Sequence, residues 1–244
     1  MRSAQKGKWL ACVIHLHYLG EMLTAISRGF ASLADNRIML ILAKVISLTL
    51  AAFLILGIAL WYAVDFAFGY FGVADDGTLS ALAAVAILAI SGLVLFRMVA
   101  IAITWVFSDD IIDAVEERHY PFEAARGKRP SNMTSLRMGL RSARRALGYN
   151  LLALPLYLLL LVTGIGAPLV FIAVNALLLG RDLEDMLVAR HGHELAAFGK
   201  GERLMLGAAG AAGMMVPLLQ FVVPVVATAA AVHMAHGKFR VKTK

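Results

Sequence analysis

Four long apolar runs separated by charged segments set the pattern of the chain. The first, Ile38 to Val64, is broken only by Lys44, six residues in. At the helical rise that is roughly 9 Å, so the lysine stem can carry its charge to the headgroups. The second, Leu79 to Phe107, is 29 residues long with Arg97 its one charge. As a helix it would measure about 44 Å against a hydrocarbon core of about 30 Å, so it must tilt or project beyond the bilayer. Both runs predict membrane-spanning helices, at 38–64 and 79–107.

The third and fourth runs, Leu151 to Gly180 and Leu204 to Val232, contain no charged residue but carry breakers. These are Gly164, Gly166 and Pro168 in the third run, and Pro217 and Pro224 in the fourth. Proline removes a backbone donor and clashes with the preceding turn, and glycine weakens a helix further. Each run, 151–180 and 204–232, therefore folds either as a hairpin that enters the bilayer part-way or as one kinked span. Broken backbone at membrane depth is tolerated only where protein or water satisfies it.

Composition supports a membrane solvent. Of 244 residues 60% are hydrophobic and 16% charged, well below the roughly 25% charge of a soluble domain. That excludes a disordered tail and most soluble enzymes. The net charge of +7 acts mainly as a topology signal rather than a sign of nucleic-acid binding. The stretch from Asp65 to Thr78 has three aspartates and no basic residue, which places it outside. Residues 1–37 hold five Lys or Arg, 108–150 hold eight, 181–203 hold four, and the tail 233–244 is basic. All four read as cytoplasmic. Two spans followed by two hairpins leave them there, whereas four full spans would export 181–203. The expected architecture is thus an all-α integral membrane protein forming one membrane domain, 1–244, with two spanning helices, two broken hairpins and amphipathic interfacial helices.

Residues 1–37 begin with an amphipathic stretch in which His15, His17 and Glu21 interrupt the apolar positions, arguing for an interfacial helix over a cleavable signal. Between Asn132 and Asn150, Arg137, Arg141, Arg144 and Arg145 share one helical face, and Leu136, Leu140, Ala143 and Leu147 form a second, apolar face. That face is expected either to meet anionic lipid phosphates or to gather anions before transport. Upstream, SDDIIDAVEERHYPFEAARGKRP alternates acids and bases and predicts a solvated helix and turn within the polar segment 108–150.

Arg97 lies about 15 Å from the nearer end of its run. An arginine at mid-bilayer costs at least roughly 2.5 to 3.5 kcal/mol, so it must face protein, water or an anion. It is either paired inside the bundle or placed on a transport pathway. No enzyme is expected: GxSxG, HExxH, the Walker loop and GxGxxG are all absent. No cofactor is expected either. His15 with His17, and His191 with His193, are two apart and would point to different faces of a helix, and Cys12 is the single cysteine, so no metal site is predicted. GAAGAAG at Gly207 to Gly213 suits close helix packing, within the chain or between copies.

Four stretches carry a likeness that covers nearly the whole chain: RGFASLADNRIMLILAK before the first span, FSDDIIDAVEERHYP after the second, RDLEDMLVARHGHELAAF between the hairpins, and VPLLQFVVPVVATAAAVHM at the end. In their order they resemble the CysZ sulfate permease family, grouped with the etoposide-induced membrane proteins. The resemblance implies a multi-pass protein of the bacterial inner membrane, built from two long helices and two partly penetrating hairpins. It would assemble as a homo-oligomer and bring in sulfate or a similar oxyanion for cysteine synthesis. The alternative reading is a non-transporting assembly or lipid-organising protein that binds anionic lipids. The family's sulfate-binding arginine just before the first span corresponds to Arg37, which with Arg28 and Asn36 forms the candidate anion site. Here Asp35 and Asn36 stand where the family has small and apolar residues, and a carboxylate in that place is expected to repel a dianion.

Overall fold

The computed structural model describes residues 20–72, 77–161, 163–193, 198–216 and 219–242, the side chains of 88–105, 132 and 238–242 excepted. All regular structure among these residues is helical. Residues 20–31 form α1, which tightens into a 3-10 turn at Ser32–Ala34. There follow α2 (Asn36–Tyr70), α3 (Thr78–His119), α4 (Pro121–Arg126), α5 (Asn132–Leu161), α6 (Gly166–His191), α7 (Lys200–Gly213), a 3-10 turn at Leu219–Phe221, and α8 (Val223–Lys242).

Two compact units result. One comprises Leu40–Phe107, most of the long helices α2 and α3; the other holds the described residues up to Met39 and from Ser108 onward. In the first unit α2 and α3 meet near their connection, where Trp61 Nε1 donates to the Gly77 carbonyl at 3.4 Å and the Ser80 hydroxyl to Asp65 at 3.3 Å. By length and composition α2 and α6 qualify to cross a membrane. The side chain of Arg97, within α3, lies outside the described residues.

In the second unit both interrupted runs break near the glycines and prolines. The third breaks between α5 and α6, where Gly164 takes a φ of 70° that only glycine adopts cheaply. There the Thr163 hydroxyl accepts the Gly166 N–H at 2.8 Å. The fourth breaks after Gly213, and Pro224 falls in the first turn of α8, where its missing donor costs nothing. Two helix pairs result, α5/α6 and α7/α8. One sequence expectation needs adjusting: the amphipathic stretch from Asn132 does not end at Asn150 but continues to Leu161 through Pro155.

GAAGAAG packs within the chain. A Cβ on Gly207 would come within 2.0 Å of the Ala176 carbonyl oxygen, and one on Gly180 within 1.9 Å of the Arg203 carbonyl oxygen. Helices α6 and α7 therefore touch backbone to backbone. Around them Ile111, Ile112, Val115, Leu187, Leu206 and Val225 are fully buried, and the alanine-rich α8 is enclosed over 225–236.

The buried arm of α3 also corrects an expectation. The segment after Phe107 read as solvated because acids and bases alternate, yet Ile111, Ile112, Val115 and Glu116 are all 0% exposed. Asp109, Asp113 and Glu116 recur at helical spacing on one face, and that face turns inward because basic groups from α6 and α8 neutralise it.

Candidate functional site

Glu116 is the centre of the inward polar face. Arg190 Nε donates to its Oε2 at 2.9 Å, while Nε2 of His191 and of His236 lie 2.6 and 2.9 Å from its Oε1. Arg190 also pairs with Asp113, and Arg129 spans Asp110 at 2.7 Å and Asp113 at 3.2 Å. Burial alone would raise the Glu116 pKa. The two imidazole hydrogen bonds and the Arg190 charge outweigh it and hold the carboxyl at about 2, so Glu116 stays ionised at neutral pH.

The short helix α4 and the turn after it close over this cluster. The Lys128 N–H donates to the Arg190 carbonyl at 3.1 Å, and a Cβ on Gly127 would lie 2.7 Å from His191 Cε1. Only glycine leaves room for the ring.

A third histidine sits beside the first group. Nδ1 and Nε2 of His233 meet the Tyr120 hydroxyl at 3.0 Å and the Ser32 hydroxyl at 3.2 Å. Burial lowers the His233 pKa to about 4, with further depression from the charges of His119, Arg28 and His236. The unfolded chain takes up this proton near 6.5 and the folded protein only near 4, so between those values the unfolded state holds more protons and stability rises with pH. Acidification from pH 6.5 to 4 is expected to cost up to about 3 kcal/mol at this site. In thermal melts His233→Gln should flatten that part of the profile; an equally steep loss in the variant would contradict the assignment.

The sequence-predicted anion residues lie at the start of α2. Asp35 caps that helix: its Oδ1 accepts the Arg37 N–H at 2.8 Å, occupying a helix-end donor to which an anion would otherwise bind. Its other oxygen pairs with Arg118 at 2.6 Å, and the two partners hold its pKa below the ordinary carboxylate range. The Arg37 guanidinium pairs with Glu117. Both members of that pair are about half exposed, so it contributes at most about 1 kcal/mol. Asn36 and Arg28 are exposed, on α2 and α1 respectively. The structure thus brings Arg37 and Asp35 into one four-residue charge array with Arg118 and Glu117. No contact joins Arg28 or Asn36 to it among the described hydrogen bonds.

The arginine face of α5 divides. Arg145 is mostly buried and bonds Asp182 and Asp185 at 2.7 Å each, with the Ser142 hydroxyl also on Asp182. Arg137, Arg141 and Arg144 remain exposed. Three basic residues, not four, therefore face outward.

The profile of one protein family, described as Sulfate transporter CysZ/Etoposide-induced protein 2.4, matches residues 25–224. The chain belongs to this family. Curated proteins and solved structures gave no match. The CysZ match takes in Arg28, Asn36, Arg37 and Arg97 and ends before His233 and His236. With the apolar helices α2 and α6 it makes the chain a membrane protein of a family named for a transporter rather than an enzyme. The charge array at the start of α2 lies inside the matched region. The buried Glu116 cluster reaches beyond it through α8.

Proposed function

We propose that the chain is a permease or channel of the bacterial inner membrane that passes sulfate or a similar oxyanion into the cell, supplying sulfur for cysteine synthesis. Membership of the CysZ family, over a region that includes every proposed anion contact, is the observation that carries this reading. Arg37 is the first contact, Arg28 and Asn36 are the further candidate contacts, and Arg97 is the candidate pathway residue. An arriving oxyanion takes Glu117's place on the Arg37 guanidinium, which is cheap because the existing pair is exposed and weak. The bilayer is crossed by α2 and α3, while α5/α6 and α7/α8 enter part-way.

Two features support partial entry. Ile165 and Leu169 at one hairpin tip, and Met215 and Val216 at the other, are apolar and exposed. The apolar part of α6 runs only from Gly166 to Gly180 before Arg181, Asp182, Glu184 and Asp185, about 22 Å against a core of about 30 Å.

The assembly or lipid-organising reading draws its support from α5. Arg137, Arg141 and Arg144 are exposed beside the exposed Leu136, Leu140 and Leu147, the pattern of a helix lying among anionic headgroups.

Sulfate titration into the detergent-solubilised protein separates the two. Arg37→Ala is expected to weaken binding about tenfold or more, as loss of a charge-assisted bond of about 1.5–3 kcal/mol implies. Asp35→Gly, which removes the carboxylate from the helix end and keeps a permitted N-cap, is expected to strengthen it. Unchanged affinity in both variants would remove this array from the anion site.

A further inference from the structure

We propose that Glu116, His191 and His236 form a binding site for a divalent transition-metal ion of the zinc type, tying α3, α6 and α8 together. The inference is independent of the transport reading. It starts from convergence: one ligand atom from each of the three residues lies within 4.8 Å of the others. Two imidazole nitrogens approach a single carboxylate oxygen at 2.6 and 2.9 Å. Ligand atoms in tetrahedral coordination, at bond lengths of about 2.0–2.2 Å, lie roughly 3.3–3.6 Å apart. An outward shift of about half an ångström to an ångström at each contact therefore makes room for an ion. Two histidines and one carboxylate form a donor set that suits such ions, with one position left for water.

The surroundings favour this more than a plain hydrogen-bonded triad does. Arg190 holds Oε2 of Glu116 and so points Oε1 at the two rings, in the way a supporting partner orients a ligating carboxylate. Asp113 answers the Arg190 charge, leaving the Glu116 charge for the ion. His236 Nδ1 is buried and has no hydrogen-bond partner among the described residues. Moving the ring proton there presents the Nε2 lone pair to the ion; the Nε2–H···Oε1 bond to Glu116 is given up for coordination, and no partner of Nδ1 is lost. All three side chains are 3% exposed or less, which shields the three ligands from bulk solvent. Gly127, pressed against His191, fixes the ring from outside.

The test uses the full chain, purified without a polyhistidine tag and stripped with a chelator. Zinc titration against a competing indicator should give one ion per chain and raise the melting temperature with zinc concentration, and cobalt should replace it with the spectrum of a low-coordinate ion. His236→Gln and Glu116→Gln should each weaken binding by more than the ~10–100-fold that loss of an outer-shell partner costs, whereas His193→Gln, two residues from the site and exposed, should leave it intact. X-ray absorption of the zinc-loaded native protein should show two imidazole ligands, a readout that does not depend on any variant folding. Absence of stoichiometric binding, retention in His236→Gln, loss in His193→Gln, or a shell with fewer than two imidazoles would each overturn the proposal.

Discussion

Replacing Glu116 with alanine is expected to destabilise the protein by about 3–5 kcal/mol, the cost of breaking a buried ion pair from one side. Arg190 Nε and the Nε2 atoms of His191 and His236 would all lose their acceptor at once. A buried donor left unpaired costs about 1–3 kcal/mol, and Arg190 would keep only Asp113. In a chain of this size the melting temperature should drop by roughly 10 °C or more. Glu116→Gln, which keeps an acceptor but loses the charge, should fall between the native protein and the alanine variant. A drop of only 1–2 °C for the alanine variant would mean that the cluster is solvated and not the polar centre of the second unit.

Gly207→Val is expected to be at least as damaging. The first carbon of any side chain would sit 2.0 Å from the Ala176 carbonyl oxygen and 2.7 Å from the Gly180 N–H. These are backbone atoms and cannot swing aside, so α7 must move away from α6. Overpacking a core costs 1–3 kcal/mol where side chains can adjust; here the whole α6/α7 contact opens, and the cost should be at least about 3 kcal/mol. Loss of the folded monodisperse species in detergent is the expected readout. Gly201→Val makes the control, since a Cβ there meets nothing within 4 Å. Equal stability of the two variants would show that α6 and α7 are not in backbone contact.

What could be read along the chain was what depends on neighbours in sequence. The breaks near Gly164 and after Gly213 were legible from local backbone chemistry, because glycine and proline act on their own turn. The small-residue run from Gly207 to Gly213 was equally legible, since spacing alone puts its glycines on one face. The Glu116 cluster was not. His191 and His236 lie 75 and 120 residues from Glu116, and pairing each histidine only with its neighbour two residues away, as spacing invites, hides a site assembled by three helices. The charged stretch after Phe107 misled for a related reason. Alternating charge looks solvated until its partners on α6 and α8 are known, and nothing local announces them. Arg145 likewise looked equivalent to Arg137, Arg141 and Arg144 until Asp182 and Asp185 claimed it.

Asp35 shows the same limit from the other side. In the sequence it looked like a charge set beside an anion site. In the structure it caps α2 and pairs with Arg118, so its negative charge is largely answered before any anion arrives. The repulsion expected from sequence is correspondingly reduced, while the helix-end donor it occupies is still withheld from the anion.

Anion passage is measured most directly as sulfate flux into liposomes carrying the purified protein, native and Arg97→Leu side by side. An arginine some 15 Å into an apolar run is costly to keep, and leucine removes that cost at roughly similar bulk. Sulfate uptake by the native protein is expected, with Arg97→Leu inserting and melting normally but losing flux and Arg97→Lys recovering part of it, because lysine keeps the charge without the planar fork. No uptake by the native protein, or undiminished flux in Arg97→Leu, would contradict it.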